Sequence, residues 1–353
     1  MNADPHNPAD STADSTTGNR DGRGQGGPGE GAPAGQETAR GRAARALGSL
    51  RGLAVGDGLG SQFFVPAHLG ALRRRELPPA PWQWTDDTEM ACSVVAVLAA
   101  HGEIDQDALA AAFARHHDFD RGYGPAVNRM LRLIRQEGAD WRELAASLFE
   151  GQGSWGNGAA MRIAPLGAWF ADDPAHAVEQ AERSAFVTHQ HREAVAGAIA
   201  VAGAAALVAG DPAGPGAGTV PSVETGAEML ARLIDMVPRS AVEAGLRRAA
   251  DMLDYDDVAT VAAVLGSGRQ TSAHDTVPFT LWAAARHLDD YEQAIWTTAQ
   301  AGGDVDTTCA IVGGIVASRP SGAPPAAWAD RTEPLPEWVP EQASAGSGPG
   351  TAG

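Results

Sequence analysis

The chain has 353 residues, a formal net charge of −18 and 44% hydrophobic residues. This length can bury a sizeable core, and the acidic balance argues against a general nucleic-acid-binding surface, because such surfaces neutralise phosphates with basic residues. All 26 basic residues are arginine, which excludes Schiff-base and P-loop chemistry that depends on lysine. Two cysteines, Cys92 and Cys309, are too few for a disulfide framework or a structural zinc cluster, so we expect both to be buried.

Both ends of the chain are predicted to be mostly disordered. Residues 1–40 and 320–353 are rich in Gly, Pro and Ser, although Trp328 and Trp338 offer two points of attachment to a folded surface. The first segment lacks the apolar stretch of a secretory signal, and the longest apolar run, 194–209, is too short and too rich in small residues for a membrane span. We therefore expect a cytoplasmic, monomeric protein with one domain over residues 41–319 and no membrane partner.

The residues between these tails repeat apolar positions at helical spacing, and alternating β-branched runs are absent. This pattern predicts an all-α, compact single-domain multi-helix bundle. Residues 210–218 are rich in Gly and Pro and predict a surface loop. The predicted helices span residues 43–55, 90–101, 107–116, 127–137, 141–149, 175–186, 193–209, 222–236, 241–254, 257–265, 276–287, 290–301 and 307–318. Gly56 is expected to end the first of them.

Two acidic clusters, each directly before an apolar helix, carry the strongest chemical signal. The first is Trp84-Thr85-Asp86-Asp87-Thr88, and the second is the sequence GGDVDTT over residues 302–308. Thr and Asp at a helix start can simply cap free N–H groups. However, four carboxylates with threonine hydroxyls also form an all-oxygen set that suits Mg²⁺, Mn²⁺ or Ca²⁺, and the chain has no lysine to neutralise them. Metal binding and capping with solvated charge therefore both remain open.

Three further segments are candidates for ligand contact. The glycine-rich sequence GQGSWGNGAAMR over 151–162 could cradle phosphate with its backbone N–H groups, or could be an ordinary flexible loop. Glycines 52, 56 and 60 recur every four residues, which favours tight helix contact, and Asp57 among them is a candidate buried functional acid. His189 near a predicted helix boundary could contact a ligand or simply cap a helix.

The loop over residues 116–124 contains Asp118, Asp120 and Tyr123. It could reach one side of a ligand pocket, with Tyr123 bordering the ligand, although a solvated helix end is the favoured interpretation for its two acids. Trp84 precedes the first acidic cluster, and packing in the core is favoured over stacking on a ligand.

Taken in order, these segments resemble the ADP-ribosylglycohydrolase family. The resemblance covers roughly residues 45–318 and rests on 52–60, 84–88, 156–161, 188–189 and 302–307. It implies an all-α fold around a central pair of Mg²⁺ or Mn²⁺ ions, and hydrolysis of the bond that joins ADP-ribose to an acceptor. The acceptor could be a protein arginine or serine, a nucleic acid or a small molecule. The implied metal ligands are Thr85, Asp86, Asp87, Asp304, Asp306 and Thr307. The implied substrate-binding residues are Ser154, Gly156, Asn157, Gly158, Ala159, Met161 and His189, with residues 273–278 bordering the pocket.

In such an enzyme we expect Asp86 or Asp87 to act as general base towards a metal-bound water, with Asp57 as a third catalytic acid. The sequence departs from the family at Phe64, which stands where many relatives have an acidic residue. The alternative is therefore a catalytically impaired module that binds ADP-ribose and has a regulatory role.

Overall fold

The computed structural model describes residues 34–210 and 222–340. The outer parts of both predicted tails and nearly all of the predicted 210–218 loop lie outside these residues. Regular structure within the described ranges is helical apart from two isolated β-bridges, which confirms the all-α prediction. The helices are α1 Ala34–Ser61, α2 Leu69–Arg74, α3 Asp86–His101, α4 Gln106–His116, α5 Pro125–Glu137, α6 Trp141–Gly151, α7 Ala164–Trp169, α8 Pro174–Phe186, α9 Arg192–Ala209, α10 Gly226–Met236, α11 Ala241–Asp251, α12 Val258–Leu265, α13 Ala273–Arg286, α14 Tyr291–Gln300, α15 Val305–Val316 and α16 Ala326–Ala329.

The first helix differs most from its prediction. It was expected to end at Gly56, but α1 continues through its glycines to Ser61. The cause is close packing against α15, since a Cβ on Gly56 would overlap the Cys309 carbonyl oxygen, and one on Gly60 would lie 2.8 Å from the Asp306 Cα. Glycine is unfavourable inside an isolated helix, and contact with α15 compensates for that cost here.

The interior of the bundle is built around α9, and α7, α8, α10 and α13 pack against it. By length and composition α9 could cross a membrane, but 94% of that apolar window is buried inside the protein. This agrees with the prediction that residues 194–209 form a core helix. Cys92 and Cys309 are both buried free thiols, as expected.

The chain after α15 departs from the prediction of a mostly disordered tail. Residues 320–340 are ordered, and Trp328 is buried against Trp82, Tyr291 and Trp296. Beyond α16, residues 330–339 form an extended segment that we call the C-terminal strap. Its backbone joins Trp82 twice, because Trp82 N–H donates to Arg331 O at 2.7 Å and Glu333 N–H donates to Trp82 O at 2.9 Å. A few aromatic anchors thus outweigh a composition that is otherwise typical of disorder.

Candidate active site

The centre of the site is a group of three carboxylates supplied by three helices. Asp57 lies in the glycine-lined part of α1, Asp306 in the first turn of α15, and Asp87 in the first turn of α3. Oxygen atoms of the three lie within 4.8 Å of one another. The close approach of α1 and α15 brings Asp57 to Asp306. The regularly spaced glycines of α1 therefore allow close helix packing, and that packing also assembles the acidic site.

Asp57 is fully buried and is held by both threonines of the first acidic cluster. Its carboxylate accepts hydrogen bonds from Thr85 N–H at 2.9 Å, Thr88 N–H at 3.1 Å and the Thr88 hydroxyl at 2.6 Å. Burial nevertheless outweighs these bonds and raises the pKa of Asp57 to about 6. The acid is thus a structural anchor for the start of α3 as well as a member of the cluster.

The remaining acids are also destabilised as anions. Burial, together with repulsion from Asp57 and Asp304, raises the pKa of Asp86 to about 8, and burial with repulsion from Asp57 and Asp306 raises the pKa of Asp87 well above its ordinary value. Burial also raises the pKa of Asp304, and burial with repulsion from Asp304 strongly raises that of Asp306. In the described part of the chain, no Arg or His side chain forms an ion pair with any of these five carboxylates.

This donor set fits a hard divalent cation. Oδ1 of Asp87 is buried and has no hydrogen-bond partner, which is costly unless another group engages it. Thr85 Oγ1 lies 2.9 Å from Asp57 Oδ1 and from Asp87 Oδ2, although its single proton can be donated to only one of them. Oxygens about 3 Å apart are also what octahedral ligands at 2.0–2.1 Å from Mg²⁺ require. The predicted ligands Thr307 and Asp304 lie at the start of α15, beside Asp306.

The glycine-rich loop adjoins this acidic cluster. The Asn157 side-chain amide donates to Asp304 Oδ2 at 2.8 Å and to Thr276 Oγ1 at 3.1 Å. Gly156 N–H donates to Ser154 Oγ at 3.2 Å. The structure therefore brings the predicted loop, the second acidic cluster and the predicted bordering segment 273–278 together through Asn157.

His189 lies directly under the loop, since a Cβ on Gly158 would come within 2.7 Å of its ring. Burial and the nearby charge of Arg162 lower the pKa of His189 to about 3, so the ring is neutral at physiological pH. Its Nδ1 lies 2.7 Å from the Thr188 hydroxyl. A neutral ring packed against glycine backbone suits a shaping role better than acid catalysis.

Arg162 is a functional candidate that sequence analysis missed. It is fully buried, and its guanidinium donates to Gly158 O at 3.1 Å and to Ser184 O at 3.0 Å. Burial lowers the pKa of Arg162 to about 9. The available signal was a single arginine within the apolar sequence AAMRIAP. Arg162 braces the glycine loop from the core side.

Two exposed aromatic rings flank the loop on its outer side. Phe149 and Trp155 have ring centroids 4.6 Å apart, and Phe149 adopts a positive φ of 51°. Exposed π-faces of this kind can stack a flat heterocycle. Trp155 lies within the glycine-rich segment, but the sequence analysis did not propose it as a ligand contact. Phe149 was noted only as the last residue of the predicted helix over 141–149.

Several predicted residues do not point into the acidic cluster. Ala159 and Met161 are buried in the hydrophobic core, and Tyr123 donates its hydroxyl proton to Glu89 Oε2 at 2.6 Å. Asp118 and Asp120 are exposed, as the favoured interpretation of their loop predicted. Glu89 was missed, although it is the third acid in the first turn of α3.

The described residues also form a groove of about 1080 Å³ away from this chemistry. It lies between the middle of α1, the residues that directly follow α15 and the C-terminal strap, and it includes none of the five clustered carboxylates. Convergent polar groups therefore locate the site better than cavity size does.

Comparison with known proteins agrees with this geometry. The chain is 29% identical over 315 residues to ADP-ribosylhydrolase ARH3 of Homo sapiens, covering 77% of this chain and 85% of that protein. It is 35% identical over 176 residues to the Gallus gallus protein of the same name, covering 44% of this chain and 48% of the relative. It is 32% identical over 160 residues to ADP-ribosyl-[dinitrogen reductase] glycohydrolase of Rhodospirillum rubrum, covering 42% and 52%.

A solved structure described as an ADP-ribosylglycohydrolase-related protein complex has the same fold. The TM-score is 0.56 at 24% identity, and the alignment covers 83% of this chain and 93% of the other. The sequence profile of the ADP-ribosylglycohydrolase family matches residues 38–347. The chain therefore belongs to the ADP-ribosylglycohydrolase family, a family of hydrolases that act on glycosyl bonds.

Proposed function

We propose that this protein uses two divalent cations, Mg²⁺ or Mn²⁺, to hydrolyse the bond between ADP-ribose and an acceptor. Hydrolysis of ADP-ribose linkages follows from the family; the metal dependence and the acceptor are the proposal. The observation that carries it is the convergence of Asp57, Asp87 and Asp306 within 4.8 Å. Among the described residues, no Arg or His side chain forms an ion pair with any of the three. Asp57 and Asp87 are buried and Asp86, Asp304 and Asp306 are half-buried, so these five acids cannot all be ionised together unless positive charge is bound among them.

Each part of the site has a role in this reaction. A divalent cation bound here supplies Lewis acidity and lowers the pKa of a bound water. Asp86 or Asp87 accepts a proton from the attacking water, since both line the cluster at the start of α3. Asp57 fixes that start through Thr85 and Thr88. In the transition state the ribose carries positive charge, which the surrounding carboxylates stabilise.

The glycine loop suits the ADP portion of the substrate. Gly156 and Gly158 let the loop pack closely on the His189 ring, and Arg162 holds the loop by donating to Gly158 O. Backbone N–H groups in such loops bind phosphate oxygens, and the exposed Phe149–Trp155 pair offers a face for the adenine ring. These features support an ADP-ribose site that lies between the loop and the acidic cluster.

A protein side chain is the first acceptor to test, because the name of the Rhodospirillum rubrum relative describes an ADP-ribosylated protein substrate. Purified protein with Mg²⁺ or Mn²⁺ would be incubated with arginine-, serine- and nucleic-acid-linked ADP-ribose, and released ADP-ribose would be quantified. An EDTA-treated sample is the control. Release from one substrate that EDTA abolishes supports the proposal, whereas equal release with and without EDTA contradicts its metal dependence.

A binding module is the second candidate, and Phe64 is the observation that favours it. Phe64 is 54% exposed in the 3-10 turn after α1, and no carboxylate replaces the acid found there in many relatives. Titration calorimetry with ADP-ribose separates the two functions. Tight binding without release from any of the three substrates would support the binding module and refute the enzyme.

A further inference from the structure

The guanidinium of Arg121 joins three separate parts of the chain. It forms a bidentate ion pair with Glu333, in which Nη1 donates to Oε2 and Nη2 donates to Oε1, both at 2.7 Å. Its Nη1 also donates to Trp84 O at 2.9 Å, and its Cζ lies 3.6 Å from the centroid of the Trp84 ring. The two charged side chains are only 18% and 26% exposed. A forked, partly buried pair of this kind is stronger and more directional than an exposed one.

Trp84 is the residue directly before Thr85, Asp86 and Asp87. Arg121 therefore holds the backbone immediately ahead of the acids that begin α3. The indole of Trp84 is held as well, since its Nε1 lies 3.4 Å from Pro334 O in the C-terminal strap. Repulsion among the clustered carboxylates acts against this turn, and the contacts of Trp84 with Arg121 and the strap hold the turn in place.

The loop that carries Arg121 touches the same helix start from the other side. Asp118 N–H donates to Glu89 at 3.0 Å, and the Tyr123 hydroxyl donates to the same carboxylate oxygen at 2.6 Å. Gly122 has a φ of 95°, and a Cβ built on it would lie 3.6 Å from Asp86 Oδ1. The loop thus lies over Asp86, and Arg121 fixes the loop to the strap.

We propose that Arg121 and Glu333 are positioning residues for the acidic cluster, which makes the C-terminal strap a working part of the active site. This inference rests on the proposed metal-dependent function. The pair holds Trp84, and through it the Thr85–Asp87 turn, in the position where the carboxylates of α3 meet those of α1 and α15. The segment that sequence analysis expected to be mostly disordered therefore contributes directly to the geometry of the site.

The test is a Glu333→Gln substitution in the full chain, which removes one charge and leaves side-chain size almost unchanged. Its matched control is Asp289→Asn. Asp289 pairs with Arg319 at 3.0 Å, and Arg319 likewise donates to a backbone carbonyl, that of Val223. This control pair lies just beyond the far end of α15 from Asp306. Both variants would be compared with the unaltered protein for Mn²⁺ affinity by calorimetry and for amide hydrogen exchange over residues 84–90.

We expect Glu333→Gln to weaken Mn²⁺ binding by about tenfold, the scale seen when groups that orient metal ligands are removed. Amide exchange over residues 84–90 should become several-fold faster, with little change in the thermal midpoint. Asp289→Asn should leave Mn²⁺ affinity and amide exchange over residues 84–90 as in the unaltered protein. Glu333→Gln with unchanged exchange over 84–90 would overturn the inference, and so would an equal effect in both variants. If the unaltered protein binds no Mn²⁺, the proposed metal centre fails, and the exchange measurement still decides whether the pair holds the turn.

Discussion

The packing of α1 against α15 makes a direct prediction about Gly56. A methyl group at this position would overlap the Cys309 carbonyl oxygen and lie 2.8 Å from its carbon. Ordinary contact begins near 3.4 Å, so the two helices would have to separate by at least about 0.6 Å. Metal ligands tolerate distance errors of only about 0.2 Å. Gly56→Ala should therefore separate Asp57 from Asp306 enough to weaken Mn²⁺ binding by on the order of tenfold or more.

The same substitution should destabilise the fold. Alanine is favoured over glycine in a helix interior by about 1 kcal/mol, but forced overpacking against backbone costs about 1–3 kcal/mol. We expect a net loss of up to roughly 2 kcal/mol in the free energy of unfolding. Gly41→Ala in the same helix is the control, because its nearest contact would be the Arg45 side chain at 3.8 Å. Calorimetric Mn²⁺ titration and urea unfolding measure both effects. Gly56→Ala with native Mn²⁺ affinity would refute the argument that this glycine sets the distance between the acids.

Three further predictions concern the acids and Phe64. Asp306→Asn should reduce Mn²⁺ affinity by on the order of a hundredfold, since it removes a charge from the three-helix cluster; calorimetry showing native affinity would exclude Asp306 as a ligand. Without metal, the contribution of Asp57 and Asp86 to stability should be greatest below about pH 4 and should be lost as pH rises through about 6 and about 8, because the pKa values of both acids are raised in the folded state. Saturating Mn²⁺ should flatten this profile in urea unfolding, and a profile that is flat without metal would contradict the assignment. Phe64→Glu should raise kcat by roughly a hundredfold if an acid at this position assists catalysis, and an unchanged kcat would show that the remaining acids suffice.

Local pattern was enough to predict most helices and the two acidic clusters. Helical periodicity and capping residues act within a few positions of the chain, and the observed bounds of α4, α5, α8 and α9 lie within two residues of the predicted ones. The short helices α2, α7 and α16 were missed, because four to six residues give too little periodicity to detect.

The residue types in the sequence were enough to identify the acids of the site, but they did not identify the residues that surround those acids. Asp86, Asp87, Asp304 and Asp306 stand out because paired acids at helix starts exceed what capping requires. Arg162 did not stand out, since a single charged residue in an apolar sequence gives no indication of what it contacts. Glu89 did not stand out because it closely follows the Asp86–Asp87 pair, and the sequence does not show that it contacts Tyr123.

The sequence by itself determined the helical class, the acidic donor set and the absence of lysine, because these depend on composition and short-range spacing. Only the tertiary structure decided that the glycines of α1 bring Asp57 to Asp306, and that Arg121 pairs with Glu333, 212 positions away. Contacts across such separations depend on how whole helices pack, and packing is decided by the sum of many weak contacts that no short segment contains.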